Sequence, residues 1–218
     1  MSLTISVESH PLLEVGAFVI RTPRPLAELS TPAAIARLAE PGAAAPITAT
    51  EAGKAAVRDL LRHGGYRPSG RSKPASEYLA AARDKQAFPR INALVDACNV
   101  VSLHSGLPIS LVDLDRLDGG GGGALEIKIA PPGTAYVFNP SGQTIDAGGL
   151  LCLYDAQGPT GTPVKDAQRT KTHDGTLAAL TVVWGTRALA GWTDATTRWY
   201  RALVGEIPGM IIEDVALA

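Results

Sequence analysis

FPRINALVDACNVVSLHSGLPISLVDLD, residues 88–115, decides how this chain is read. Ile91, Leu94, Val95, Cys98 and Val101 fall at three- and four-residue steps, the spacing that lines one stripe of a helix. That helix is expected to begin after Pro89 and to stop at Gly106, because glycine adopts the left-handed conformation that satisfies terminal carbonyls and Pro108 cannot extend a helix. A strand through Leu111 and Leu114 should follow. Periodicity leaves Asn92, Asp96 and Asn99 unexplained, since they are polar residues on a flank that is otherwise apolar or small. Polar groups placed there need partners, and neighbouring backbone is the expected one.

Working outward, Leu3, Ile5 and Val7 alternate with polar neighbours as a strand would, and Val15 to Ile20 fits a buried second strand. A short helix carrying Ile35 and Leu38 should start at Pro32, capped by Ser30 or Thr31, and end at Pro41-Gly42. A second helix is expected over Glu51 to Arg62, and a third opens at Pro74 with Tyr78, Leu79 and Ala82 on one side. Beyond Pro108 the character changes: Leu125 to Ile129, Ala135 to Phe138, Leu150 to Tyr154 and Leu177 to Trp184 are short β-like runs between glycine or proline turns. A closing helix spans about Thr193 to Val204. The pattern is α+β, with mainly antiparallel sheets and helices gathered on one side. At 218 residues and 45% apolar content it reads as a single domain, residues 1–218.

A net charge of −1 gives no global basic field, so DNA is not an expected partner. From Arg62 to Arg90, however, seven Lys or Arg stand against Glu77 and Asp84, leaving a local +5. Arg67, Arg71 and Lys73 in this run are candidates for RNA or anion contact. Cys98 and Cys152 lie far apart and, with four scattered histidines, match no zinc spacing; both read as core thiols, and no metal or cofactor is expected. The first residues lack the charge and apolar run of a signal peptide, which points to a soluble, cytoplasmic protein with no membrane partner.

Two segments carry the chemistry candidates: the turn from Leu107 to Asp113, and Pro163 to Thr172, PVKDAQRTKT. Lys165, Gln168, Arg169 and Thr170 supply donors for a carboxylate or phosphate, Arg169 in bidentate fashion. Ser110, Asp113 and Asp166 are the candidate catalytic groups, placing a water near such a donor. No Gly-x-Ser-x-Gly elbow exists, so a covalent triad is not expected. Gly119 to Gly123 lack the Lys-Ser/Thr of a phosphate loop and read as a strand connector. His104, near a helix end, reads as a surface or capping residue, and His173-Asp174 as a turn before Gly175.

Arg90 to Asp96 (RINALVD), Asn99, the Gly106-x-Pro108 turn and Asp113 resemble the B3/B4-type, tRNA-binding editing domain of the bacterial phenylalanyl-tRNA synthetase beta subunit. The resemblance continues through Gly142, Asp146, Leu150, Asp155 and Gly158 and spans about residues 67–183; Arg67 to Leu79 looks like the free-standing members. It implies a three-layer β/β/α sandwich whose pocket lies between the sheets and the edge of the helical layer. It also implies an aminoacyl-tRNA deacylase acting in trans, not a full synthetase, with an aminoacylated tRNA as partner. In the synthetases that pocket admits a wrongly attached tyrosine and recognises its extra hydroxyl. Two departures stand out: Ser110 occupies the place of the family's editing histidine, and Lys165 to Thr170 replaces its methionine-glycine-glycine loop. From different classes, the alternatives are a non-catalytic module binding a free amino acid or small anion with Lys165, Arg169 and Thr170, and an RNA-binding module using the Arg62 to Arg90 patch.

Overall fold

The computed structural model describes residues 3–218. The decisive stretch forms α4 (Ala93–Ser105), Gly106 and then strand β3 (Ile109–Asp113). The helix starts later than periodicity alone predicts because Asn92 caps it, its Oδ1 accepting from Val95 N at 3.0 Å. Ile91 therefore lies outside the helix and is 65% exposed. Gly106 ends it with φ +74°, as the sequence led one to expect.

Asp96 explains the second anomaly. Its Oδ1 accepts from Ile91 N at 2.8 Å, while its Oδ2 accepts from Thr31 Oγ1 at 2.7 Å and Arg90 Nε at 3.0 Å. One buried carboxylate thus ties the first turn of α4 to the approach to α1 (Ala33–Leu38). Nearly every residue of α4 is buried, so the helix is covered all round rather than along one stripe. The covering comes from α1, α3 (Ala75–Asp84), α5 (Trp192–Gly205) and β3. A further helix, α2 (Glu51–Arg62), is capped by Thr50.

The remaining strands are β1 (Leu3–Val7), β2 (Leu13–Arg21), β4 (Leu125–Ile129), β5 (Ala135–Val137), β6 (Thr144–Asp146), β7 (Leu151–Asp155), β8 (Gly158–Gly161), β9 (Ala178–Thr186) and β10 (Ile211–Leu217). Seven of these and β3 form one mostly antiparallel sheet in the order β3-β9-β2-β10-β1-β4-β7-β8; only β1 pairs in parallel, with β10 and β4. β5 and β6 form a separate ribbon. All nine residues of β9 are buried: the strand lies between β2 and β3 and packs against α5 and α2.

The eight strands lie in one sheet curled nearly into a barrel, and β10 is what makes it continuous. Without it, β3-β9-β2 and β1-β4-β7-β8 would be two sheets; β10 pairs with β2 on one side and β1 on the other and fuses them. The helical layer packs over the β3-β9-β2 half. Against that half α5 comes very close: a Cβ at Gly185 would fall 1.9 Å from Thr193 Oγ1, and one at Gly16 2.1 Å from Thr197 Oγ1. No helix among the described residues is long and apolar enough to cross a membrane.

Replacing Asp96 by alanine removes three bonds at once and leaves the Ile91 N–H and Thr31 hydroxyl without an acceptor. We expect Asp96→Ala to lower the unfolding free energy by about 2–4 kcal/mol, read from urea denaturation.

Candidate functional site

The two ends of the curled sheet, β3 and β8, do not pair directly; residues 162–171 close the gap between them. Ser110 Oγ donates to Thr162 O at 3.3 Å, Leu111 N donates to Asp166 Oδ2 at 3.2 Å, and Val112 bridges Lys171 in antiparallel sense. On the β8 side, Ala167 N and Thr170 Oγ1 both donate to Thr160 O at 2.9 Å. The polar density of this segment follows from that position, since side chains stand in for a missing strand ladder. Burial pushes the Asp166 carboxyl up to about 6, only partly offset by the Leu111 N–H and the nearby Ser110 hydroxyl.

Arg169 anchors the segment. Its Nη1 and Nη2 donate to the two oxygens of Asp155 at 2.9 and 2.5 Å, and Nη2 also donates to Gly158 O at 2.8 Å. Asp155 accepts two backbone N–H groups as well, from Asp118 and Gln157. Burial alone would raise the Asp155 carboxyl, but the Arg169 hydrogen bonds and these N–H groups hold it below the usual range.

With Asp166 and Thr170 turned into the seam, Lys165 and Lys171 line a cleft of about 610 Å³ outside it. Arg71 and Lys73, ahead of α3, line it too, so four cations and no carboxylate of the described residues surround the space. Asn99 and Ser102 of α4 contribute polar groups, and Tyr78, 64% exposed, stands at the rim. Phe138 organises both lysines: Lys165 Nζ sits 3.6 Å from its ring centroid, and Lys171 Nζ donates to its carbonyl at 2.5 Å. The ring contact favours the ammonium by about 0.5–1 kcal/mol. Burial, Arg71 and Lys171 oppose it and lower the Lys165 pKa, and burial lowers that of Lys171. Such an array sets up a local positive field, complementary in charge to an anion.

The sequence candidates separate into two groups. Lys165, Arg71 and Lys73 meet in the cleft. Ser110 is fully buried and accepts from Trp184 Nε1 at 2.9 Å. Asp113 is 1% exposed and accepts from Asp115 N and Thr176 Oγ1, with His173 Nε2 3.3 Å away. His173 Nδ1 accepts from Gly175 N, so this pair locks a turn. Thr170 is buried in the seam, Gln168 Oε1 is buried without a partner among the described residues, and Arg67 lies exposed on the surface away from the cleft lining. Within the basic run, Arg62, Arg83 and Arg90 are ion-paired to Asp59, Asp84 and Asp96.

His104, read as a surface or capping residue, is instead buried, its Nε2 2.8 Å from Leu38 O and its ring 6.0 Å from that of Trp199. Burial pushes the Cys98 and Cys152 thiols up to about 12, as suits core residues. Phe138 and Tyr78 carried no sequence signal for a site; Asn99 did, as a polar residue that helix periodicity could not place. No protein-family model matches this chain, and no curated protein matches it significantly.

Two outcomes follow for the seam. Arg169→Ala leaves Asp155 buried without its cation and should cost about 3–5 kcal/mol, measured by chemical denaturation. Because Asp166 binds its proton more tightly folded than unfolded, its contribution is fully present below pH 3.8 and is lost as pH rises through about 6. Asp166→Asn keeps an acceptor for Leu111 N. Its melting temperature relative to the parent should therefore climb between pH 4 and 7, by the equivalent of roughly 2–3 kcal/mol.

Proposed function

We propose that the protein is a free-standing relative of the phenylalanyl-tRNA synthetase editing domain that receives the aminoacylated 3′ end of a tRNA in the Lys165–Lys171 cleft and releases a wrongly attached amino acid. The observation that carries this reading is the cleft itself: four cations without a carboxylate, beside aromatic groups, in a volume suited to a small ligand. Arg71 and Lys73 come from the segment that resembles the free-standing members, and Asn99 from the stretch with the most specific resemblance. On this reading β3-β9-β2 and β1-β4-β7-β8 are the two β layers of the three-layer β/β/α arrangement, joined through β10, and the helices are the third.

In the proposed step, water adds to the ester carbonyl carbon, and the tRNA 3′-oxygen leaves with the proton that water gives up. Arg71 and Lys171 stabilise the oxyanion that forms between these events. Water is the nucleophile because Ser110 is inside the protein.

A second reading draws on a separate observation: Ser110, Asp113 and Asp166 are buried or engaged in the scaffold and do not line the cleft. A non-catalytic module holding a free amino acid or another small carboxylate or phosphate uses the same cations without a base.

The test is incubation of the pure protein with a panel of correctly and incorrectly charged tRNAs, following labelled amino acid. Selective release that falls at least tenfold in Lys171→Met, with the fold retained, is the expected result. No release from any member, with saturable thermal stabilisation by a free amino acid or phosphate, supports the second reading. Binding of tRNA without release, with affinity falling steeply with salt, identifies an RNA-binding module.

A further inference from the structure

The Lys165 amine lies closer to an aromatic face than any other lysine of the described residues; Lys128 is 5.1 Å from the Tyr154 ring and Lys73 5.8 Å from that of Tyr78. The Lys165 Nζ lies over the face of Phe138 at 3.6 Å, and no carboxylate or hydrogen-bond acceptor of the described residues holds it. Lys171 spends its Nζ on the Phe138 carbonyl, and Lys54 and Lys128 are paired with Glu51 and Glu126. Position adds a second distinction: Arg71, Phe138, Gln143 and Lys165 line both the 610 Å³ cleft and a neighbouring cavity of about 450 Å³. Lys165 therefore stands in the partition between two cavities and is reachable from either.

We propose that Lys165 is a carbonyl-capturing nucleophile and that the cleft takes a small anionic aldehyde or 2-oxo acid, held as an imine. Burial and the neighbouring cations Arg71 and Lys171 disfavour the ammonium against the modest pull of the Phe138 ring, so the neutral amine needed for attack is more available than on an exposed lysine. Its lowered pKa, from burial, Arg71 and Lys171, agrees with the geometry. The same cations hold the ligand's carboxylate or phosphate. In the step, the Nζ lone pair adds to the carbonyl carbon. Nitrogen then gives up two protons, which leave with the carbonyl oxygen as water, forming the C=N bond with no oxidant or reductant. This site does not depend on ester hydrolysis.

The test uses glyoxylate with cyanoborohydride at neutral pH; the hydride reduces any imine to a stable secondary amine that peptide mass mapping locates. Expected is one dominant adduct at Lys165, forming at least tenfold faster than at the exposed Lys85 and slowed by inorganic phosphate. Lys165→Arg, which keeps the charge and cannot form an imine, should lose that adduct and keep the parent melting temperature. Labelling spread over the lysines, or total labelling unchanged in Lys165→Arg, overturns the proposal. Failure of phosphate to slow the reaction overturns the anion anchor. The readout contains no tRNA, so it stands or falls apart from the editing reading.

Discussion

The Asp155–Arg169 pair is the constraint on which the candidate site depends. Asp155 ends β7 with a side chain closed to solvent, and it accepts two N–H groups from Arg169 and two from the backbone. Those backbone donors belong to Asp118, where the glycine-rich connector begins, and Gln157, in the turn to β8. One carboxylate thereby ties together the connector, the β7–β8 turn and the segment that closes the sheet. Burying two opposite charges costs nearly as much desolvation as their attraction returns, so the pair's value lies in position more than in net stability.

Position is what the cleft requires. The segment that Arg169 anchors has one set of side chains turned into the seam, Asp166 and Thr170, and another turned out, Lys165 and Lys171. Cations gathered this closely repel one another, and nothing acidic in the lining relieves them. An array of this kind is tolerated where the scaffold over-determines it, and perturbed lysines in a cleft are a mark of functional sites. Phe138 belongs to the same design, offering its ring to one lysine and its carbonyl to the other.

The local elements were largely legible in the sequence because their signals are local: Gly106 as a stop, Pro74 as the opening of α3, and Leu177 to Trp184 as a β run, whereas the Thr50 and Asn92 caps were not read. Tertiary closure was not legible. Ile211 to Leu217 carries Glu213 and Asp214 in its middle and no clean alternation, so nothing marked it as the strand that merges two sheets into one. The polar run from Pro163 to Thr172 shows the limit from the other side, since seam-closing groups and cleft-facing groups have the same residue types and only the fold sorts them. His104 is a further case: its helix-end position reads as surface until α1 and α5 are placed around it.

The central position of β10 bears on how the chain reaches this structure. Val215 pairs with Leu3, and Ile212 with Ile20, so the middle of the sheet joins residues separated by nearly the whole described chain. Until that strand arrives, β1 and β2 each present an unpaired edge able to pair with another molecule. Closing such distant pairings is entropically slow. Any state formed before β10 docks therefore exposes the facing edges of β1 and β2, and intermolecular β-pairing at those edges is the competitor that correct insertion of β10 removes.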